Sequence, residues 1–299
     1  MNLNPQQQLA VDLDADRIVC TATPGSGKTR VLVERYARLV SQGSVDPDKC
    51  VLVTYTVAAA RELMQRILSH PSSPAIPSYV GTLHGWMLRL LREHGHHIGI
   101  SRNVSVADAE TSMRILKEQI ELLNWRLPVS QAEKAVEKRH KTDGRKAALF
   151  DSFHRRLHRA NLVSYDGLLD LGLKLVMARV IPPISMLAVD EYQDASLIDH
   201  EIYMAIVAGS KFVVGDPRQA IFGFRGGSPE FMRGLMDHEQ WTKIELVLNY
   251  RSGTSICESA NRLMQTQEPF GLMVSAVALP DRIHHVHTVS PEAQLEKIL

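Results

Sequence analysis

The chain has 299 residues, of which 44% are hydrophobic and 22% are charged, a composition typical of globular proteins and not of disordered ones. The formal net charge of +1 gives no overall attraction for nucleic acid, so any basic surface must be local. Three cysteines without metal-ligand spacing, a polar N-terminus and the lack of a long apolar run predict a reducing, cytoplasmic location and no membrane span. The length predicts about two domains.

The first predicted element is a short helix within residues 3–12, LNPQQQLAVD. Asn4-Pro5 is typical of a helix start. A glutamine in this helix could offer a donor and an acceptor to an adenine edge. It could instead lie in a solvated helix start, which the sequence alone favours.

Residues 17–35 predict a strand, a glycine-rich loop and then a helix from Arg30. Gly25 and Gly27 let successive N–H groups face a phosphate, and the helix adds its positive N-terminal end. Lys28 can reach the β- and γ-phosphates, while the Thr29 hydroxyl can ligate Mg²⁺. Ala22 stands where the strict pattern has glycine. The predicted phosphate-binding residues are Ala22, Thr23, Pro24, Gly25, Ser26, Gly27, Lys28 and Thr29.

Residues 49–94 continue the alternation of strands and helices. A buried strand, KCVLVT, precedes a helix over Val57–Leu68. A short strand and a turn within Tyr79–Gly85 precede a helix over Trp86–His94. His84, between the last two elements, could contact nucleic acid or cap the helix. The sequence alone favours the cap.

Residues 95–162 differ because helical periodicity dominates and strand signals are scarce. The predicted helices cover 112–123, 132–140 and 147–160. Between residues 131 and 160 there are nine Lys and Arg against four Asp and Glu. This basic face is either a binding surface for a nucleic-acid backbone or a solvated helix surface, and the sequence leaves both open.

Three apolar strands after residue 186 each end in polar residues. They run into DEYQD (190–194), GDPRQ (215–219) and NYRS (249–252). Functional residues gather at the carboxyl ends of strands in open α/β sheets. Asp190 fits a carboxylate that holds Mg²⁺, and Glu191 could orient or deprotonate the attacking water.

Seven stretches, in the order found here, resemble superfamily-one DNA helicases of the UvrD/Rep/PcrA type. They are LNPQQQLAVD, ATPGSGKTR, VTYTVAAARELMQRI, GTLHGWMLRLLR, AVDEYQDAS, VVGDPRQAIFGFRGG and LNYRS. The resemblance implies an α/β fold: a RecA-like P-loop NTPase parallel sheet with helices on both faces, plus an inserted all-helical subdomain. Residues 1–94 and 163–250 would form the first RecA-like ATPase domain, 95–162 the insertion, and 251–299 the start of an incomplete second RecA-like domain.

The resemblance also implies ATP and Mg²⁺ as cofactors, and roles for single residues. Gln7 would read the adenine edge, Arg30 would lie near the base, and Tyr250 would stack on it. Thr29 and Asp190 would hold the metal, and Gln219 would sense the γ-phosphate. The implied catalytic residues are Lys28, Asp190, Glu191, Gln219 and Arg251, the last as an arginine finger.

Single-stranded DNA, or its junction with duplex, is the partner that the resemblance implies, with movement 3′ to 5′. Tyr55, Phe222 and Phe224 would stack on bases. For these rings composition alone favours core packing, and their positions inside matching motifs reverse that preference. The remaining residues along the DNA path would be Thr54, Thr82, His84 and Arg225.

The chain departs from the family pattern in places. Val57-Ala58 stands where the family usually has Asn-Lys, and Phe222 replaces a tyrosine. Neither of two further second-domain motifs occurs in the tail, where a helix at 254–265, a strand at 282–289 and a helix at 291–299 are predicted. In the family one of these two motifs supplies another arginine finger, and such a finger contributes roughly 10³–10⁵ in rate. This chain alone is therefore expected to bind ATP and DNA weakly, hydrolyse ATP slowly and not unwind duplex. A protein that supplies the second motor domain would be its partner.

Three functions therefore compete. The leading one is an ATP-dependent DNA helicase or translocase motor, with roles in DNA repair and replication. The second is a non-catalytic, ATP-gated module for single-stranded DNA binding or protein interaction, and the third is a phosphate-loop kinase or unrelated NTPase. DNA-stimulated ATP hydrolysis separates the first from the other two.

Overall fold

The computed structural model describes residues 2–137, 144–264 and 271–277. The strands are β1 (Arg17–Ala22), β2 (Cys50–Val53), β3 (Tyr79–Gly81), β4 (Ser105–Val106), β5 (Leu162–Val163), β6 (Ile184–Val189), β7 (Ala208–Gly215), β8 (Thr242–Leu246), β9 (Leu248–Asn249) and β10 (Val274–Ser275). The helices are α1 (Pro5–Asp12), α2 (Lys28–Ser41), α3 (Val57–Leu68), α4 (Leu83–His94), α5 (Ala109–Leu122), α6 (Val129–Glu137), α7 (Gly144–Arg159), α8 (Tyr165–Met177), α9 (Leu197–Ala205), α10 (Pro229–Met236) and α11 (Thr254–Met264).

The central element is a six-stranded sheet in the order β3-β2-β6-β7-β1-β8. Every pairing within it is parallel. Because parallel strands run in one direction, the segments that follow all six strands leave from a single edge, called here the carboxyl edge. The RecA-like parallel sheet predicted from the sequence is confirmed.

The two faces of the sheet are covered by different helices, as predicted. Side chains alternate along β1, so Ile18 and Cys20 pack with α1, α2 and α3, whereas Val19 points to the opposite side. There it joins a cluster built by α4, α8, α9 and α10. Burial on both faces explains why these strands are continuous apolar runs.

The inserted segment has a hydrophobic core of its own. Leu116 of α5, Ala132 of α6 and Leu149 and Phe153 of α7 are buried together in it. At its base β4 pairs in parallel with β5, so the insertion is not purely helical. Two-residue strands carry no detectable periodicity. Val104 still packs in the main core, and the domain boundary at residue 95 remains a prediction.

Several elements differ from the predicted ones. The sequence analysis does not predict helices α8, α9 and α10. Two glycines in α8, the short length of α9 and the proline that begins α10 obscure the helical period. The predicted helix over 254–265 is confirmed as α11 up to Met264, and β9 pairs with β10. The predicted strand at 282–289, the helix at 291–299 and the last three residues of helix 132–140 lie outside the described residues. Within the described ranges, no helix has both the length and the apolar character that a membrane crossing requires.

The buried guanidinium of Arg35 fixes α1 and the following turn to α2. Its Nη1 donates to the carbonyls of Ala10 and Leu13, at 3.2 and 2.9 Å, and its Nη2 donates to that of Ala15 at 3.3 Å. The group also lies 5.5 Å from the centre of the Phe212 ring. Burial lowers the pKa of Arg35 to about 10, so the side chain stays charged at neutral pH. Arg35 is therefore one of the contacts that fix α1, together with Arg38, which pairs with Asp12 at 3.2 Å.

We expect Arg35→Met to lower the free energy of unfolding by about 3 kcal/mol, because buried carbonyls lose a charged donor while the aliphatic volume is kept. Urea unfolding followed by circular dichroism measures this loss. Arg66→Met is the control, since Arg66 forms an exposed pair with Glu62 on α3 of a kind that contributes about 0.5 kcal/mol. Equal losses in the two variants would contradict the role given to Arg35.

Candidate nucleotide and nucleic-acid site

The loop between β1 and α2 leads into a long helix that has no side-chain cap at its start. Gly25 and Gly27 have φ angles of +69° and +87°, a region that favours glycine. Gly27 is the N-cap of α2 and provides no side-chain acceptor, whereas Thr56 and Thr82 cap α3 and α4. The first N–H groups of α2 are therefore available to an anion.

The loop is held from both sides by residues that the sequence assigned to the nucleotide. Gln7 of α1 is buried, donates from Nε2 to the Ser26 carbonyl at 2.8 Å and accepts the Asn4 N–H at 3.0 Å. The N–H of Tyr250 donates to the Gly25 carbonyl at 3.0 Å. Gln7 thus positions the loop, and its reading of the adenine edge remains a prediction.

The side chains predicted to surround the base and the γ-phosphate lie near the same loop. The Tyr250 hydroxyl accepts from Asn4 Nδ2 at 2.8 Å, and its ring is partly exposed. A Cβ at Gly25 would lie 2.8 Å from the Cβ of Arg251, so glycine permits this close approach. Arg30, in the first turn of α2, pairs with Glu34 at 3.8 Å.

Two acidic side chains after β6 meet the basic and hydroxyl groups of the loop. Lys28 Nζ lies 3.1 Å from Glu191 Oε2, and Thr29 Oγ1 donates to Asp190 Oδ2 at 3.3 Å. Burial, and then the charge of Glu191, raises the pKa of Asp190 to about 6. Glu191 itself has a φ of +53°, a left-handed conformation that is uncommon for a residue other than glycine. The structure brings these four predicted residues together.

The oxygen atoms of this group fit a magnesium ion. Asp190 and Thr29 offer the hard oxygen ligands that Mg²⁺ prefers. The raised pKa of Asp190 reports a buried negative charge that the protein alone stabilises poorly, and a divalent cation would relieve it. Asp190 and Thr29 therefore provide two oxygen ligands for the candidate metal site.

At the ends of β6 and β7 lies a hydrogen-bonded group in which the sequence analysis named Glu191 and Gln219 but missed Gln193 and Asp216. Gln193 donates to Glu191 and accepts the Asp216 N–H, while Gln219 Nε2 donates to Asp216 Oδ2 at 2.8 Å. Asp216 is also paired with Arg218 at 3.0 Å. The signal was present, since these residues stand in DEYQD and GDPRQ, but the sequence does not show which of them are buried. The role of Gln219 as γ-phosphate sensor remains a prediction.

Three aromatic rings and one arginine form a cluster at the carboxyl edge, in which Tyr55 and Phe222 are half-buried and Phe224 and Arg225 are exposed. The ring centres of Tyr55 and Phe222 lie 4.6 Å apart, and those of Phe222 and Phe224 5.9 Å apart. The Arg225 guanidinium lies 5.7 Å from each phenylalanine ring. Phe224 is 79% exposed, so core packing does not account for it. This cluster is named the aromatic platform.

The other predicted DNA contacts differ in their surroundings. Thr54 is buried, and its Oγ1 has no hydrogen-bond partner within the described part of the chain. Thr82 caps α4 by accepting the Gly85 N–H at 3.2 Å. The capping role favoured for His84 is therefore wrong. His84 instead stacks on Tyr165 with ring centres 4.0 Å apart.

Tyr165 is a residue that sequence reasoning missed. It is 60% exposed and follows Ser164, the N-cap of α8. The sequence carried one signal for Tyr165. It is an aromatic residue directly after a serine that can cap a helix, and it precedes the apolar residues of that helix. The exposed ring of Tyr165 and the half-buried ring of His84 add a second aromatic pair to this part of the protein.

A parallel sheet with an uncapped glycine loop after β1 and an Asp-Glu pair after β6 defines a RecA-like P-loop NTPase. The comparisons with known proteins narrow this class. The family model for the UvrD/REP helicase N-terminal domain matches residues 3–239. The chain belongs to this helicase family, which confirms the resemblance read from its motifs.

Curated relatives of the chain include DNA helicase II of Escherichia coli (strain K12), with 30% identity over 292 residues, covering 88% of this chain and 40% of that protein. The ATP-dependent DNA helicase PcrA of Leuconostoc citreum is also 30% identical over 88% of this chain and 39% of its own length. PcrA of Staphylococcus aureus (strain Mu50 / ATCC 700699) is 26% identical over 100% of this chain and 45% of its own length. The chain thus spans less than half the length of these relatives.

The stacked pair of His84 and Tyr165 predicts a pH dependence of stability. Burial lowers the pKa of His84 to about 4, below the value of about 6.5 in an unfolded chain. The unfolded state therefore binds the proton first, and stability is lost as the pH falls between these two values. We expect His84→Phe, which keeps a ring against Tyr165, to match the wild type near about pH 8 and to exceed its unfolding free energy by about 2 kcal/mol near about pH 4.

Urea unfolding at the two pH values measures this difference. His238→Phe is the control, because His238 is exposed beyond the end of α10. A constant offset between His84→Phe and the wild type at both pH values would contradict the prediction.

Proposed function

We propose that this chain is an ATP-dependent DNA motor that couples ATP hydrolysis to 3′-to-5′ movement along single-stranded DNA. One observation carries the proposal: a single sheet edge bears both the phosphate loop with its acidic pair and the aromatic platform. The phosphate loop follows β1 and the acidic pair follows β6, while the platform residues follow β2 and β7. Membership of the helicase family supports the same function.

The acidic pair and Lys28 account for the hydrolytic half of the cycle. Magnesium-bound ATP supplies the phosphate chain that is cleaved, and the cation offsets its charge. Lys28 donates to Glu191 in this structure, so a phosphate competes with Glu191 for the ammonium group. Once Lys28 turns to the phosphate, Glu191 is free to accept a proton from the attacking water. Thr29 and Asp190 would hold the cation, and Arg251 would face the terminal phosphate.

The aromatic platform accounts for the binding half of the cycle. Stacking of a base on an aromatic ring contributes about 1–3 kcal/mol and tolerates any sequence. Phe224 is the most exposed ring of the platform, and Arg225 adds a positive charge for the backbone. Such a surface suits a motor that moves along DNA without reading bases.

Family membership and the platform disfavour the kinase alternative. A phosphoryl transfer to a small molecule does not need a partly exposed row of rings. The non-catalytic binding module differs from the motor chiefly in leaving Glu191 without a role. A measurement of hydrolysis therefore decides between them.

We expect single-stranded DNA to stimulate ATP hydrolysis by the wild-type chain, and Lys28→Ala to lower the stimulated rate by about 10²–10³, because a charged donor to the phosphates is lost. A coupled steady-state assay with and without oligo-dT measures both rates. Lys49→Ala is the control, since Lys49 pairs with Asp46 on an exposed turn. Lys28-dependent ATP binding without any hydrolysis would contradict the motor and support the binding module.

The insertion provides a second candidate contact with DNA. Arg155 and Arg159 are exposed one turn apart on α7, whereas Arg156 lies 3.7 Å from Glu118. If the exposed pair contacts duplex phosphates, Arg155→Gln with Arg159→Gln should reduce the slope of log affinity against log salt by about 1.8. Titration of a forked duplex at several salt concentrations measures it, with Arg156→Gln as the control. An unchanged slope would remove the proposed contact.

A further inference from the structure

The amide of Gln193 joins the ends of two neighbouring strands, β6 and β7, and neither half of the proposed cycle uses it. We propose that Gln193 is the positioning residue that couples the nucleotide site to the DNA-binding face. It holds Glu191 and the segment from Asp216 to Gln219 in one hydrogen-bonded unit. This inference rests on the proposed function and assigns its coupling to one side chain.

Two hydrogen bonds fix the orientation of this amide. Its Nε2 donates to Glu191 Oε2 at 2.9 Å, and its Oε1 accepts the Asp216 N–H at 3.0 Å. A backbone N–H can only donate and an ionised carboxylate can only accept. An amide rotated by about 180° would therefore lose both hydrogen bonds. A displacement of Glu191 or of Asp216 is thus transmitted to the other through Gln193.

The amide lies in a slot that the surrounding residues leave for it. Gln193 is 2% exposed, so its polar atoms have no solvent to replace a lost partner. A Cβ at position 215 would overlap Gln193 Oε1, and Gly215 provides the space. The contact is thus built into the packing of β7 against the segment after β6.

From this amide, contacts continue to the aromatic platform. Asp216, also buried, accepts from Gln219 Nε2 at 2.8 Å, and Gln219 lies three residues before Phe222. Asp194 gives a second link: burial raises the pKa of its carboxyl to about 6, and hydrogen bonds from the N–H groups of Phe222 and Ile221 offset part of that rise. The Phe222 ring then meets Tyr55. Contacts from Gln193 therefore lead to Glu191 in one direction and to the aromatic platform in the other.

The order of the strands places Gln193 between the phosphate loop and Tyr55 of the platform. The platform follows β2 and β7, the phosphate loop follows β1, and β6 and β7 lie between β2 and β1. Glu191 Oε2 accepts from both Lys28 and Gln193. When a phosphate draws Lys28 away, the amide becomes the remaining protein donor to that oxygen. A change in Glu191 therefore shifts Gln193 and, through Asp216, the loop that bears Phe222.

Coupling between two sites is reciprocal and measurable as an affinity ratio. The affinity for fluorescein-labelled oligo-dT is measured with and without magnesium and a non-hydrolysable ATP analogue. Gln193→Met keeps the length of the side chain and removes both hydrogen bonds, while Gln193→Glu keeps the acceptor for Asp216 and places a carboxylate against Glu191. Gln65→Met on the exposed face of α3 is the matched control. Thermal unfolding of each variant confirms the fold.

In the wild type and the control, we expect the analogue to change the oligo-dT affinity by about 5-fold or more. In both Gln193 variants this ratio should fall below about 2-fold, while the affinity for each ligand alone changes by a smaller factor than the ratio does. Retention of the wild-type ratio in either variant would overturn the inference, as would an equal loss in the ratio and in both single-ligand affinities. A wild-type chain that binds both ligands without any coupling would instead contradict the proposed function.

Discussion

Parallel pairing of six strands is the constraint on which the site depends. It forces every strand to end at the same edge, so residues far apart in the chain become neighbours: Lys28 follows β1 and Glu191 follows β6, and their side chains lie 3.1 Å apart. The apolar runs of the strands, buried between two helical layers, stabilise this arrangement. The chemistry at the edge is thus a consequence of topology, and the polar residues there are supported by the apolar ones below.

Buried charge at the carboxyl edge makes the site sensitive to the binding of a cation and a phosphate. Asp190, Glu191 and Lys28 lie close together with limited access to water, and burial raises the pKa of Asp190. A site that is poorly neutralised by its own residues favours a ligand that brings a cation and accepts donors. Gln193 links the Glu191 carboxylate to Asp216 through two hydrogen bonds. A change in charge at the nucleotide site therefore alters the position of the loop that bears Phe222.

Motif residues were predictable because each motif records local chemistry. Glycines at positive φ, a lysine at the start of a helix and an Asp-Glu pair after an apolar strand are readable along the chain. The partners that hold them were not predictable. Gln193 and Tyr165 were missed because their importance lies in what they touch, respectively Glu191 with Asp216 and His84. The His84 assignment failed for the same reason, since Thr82 was an equally good cap and only the structure shows which one is used.

The sequence by itself determined the fold class, the family and the identity of the phosphate loop, since these depend on hydrophobic runs and on residues close together in the chain. Only the tertiary structure decided the order of the strands, the second core of the insertion and the bridge from Glu191 to Asp216. Those features depend on contacts between residues distant in sequence, whose free energy is shared among many side chains. No single local pattern encodes these contacts, which form only when the sheet has folded.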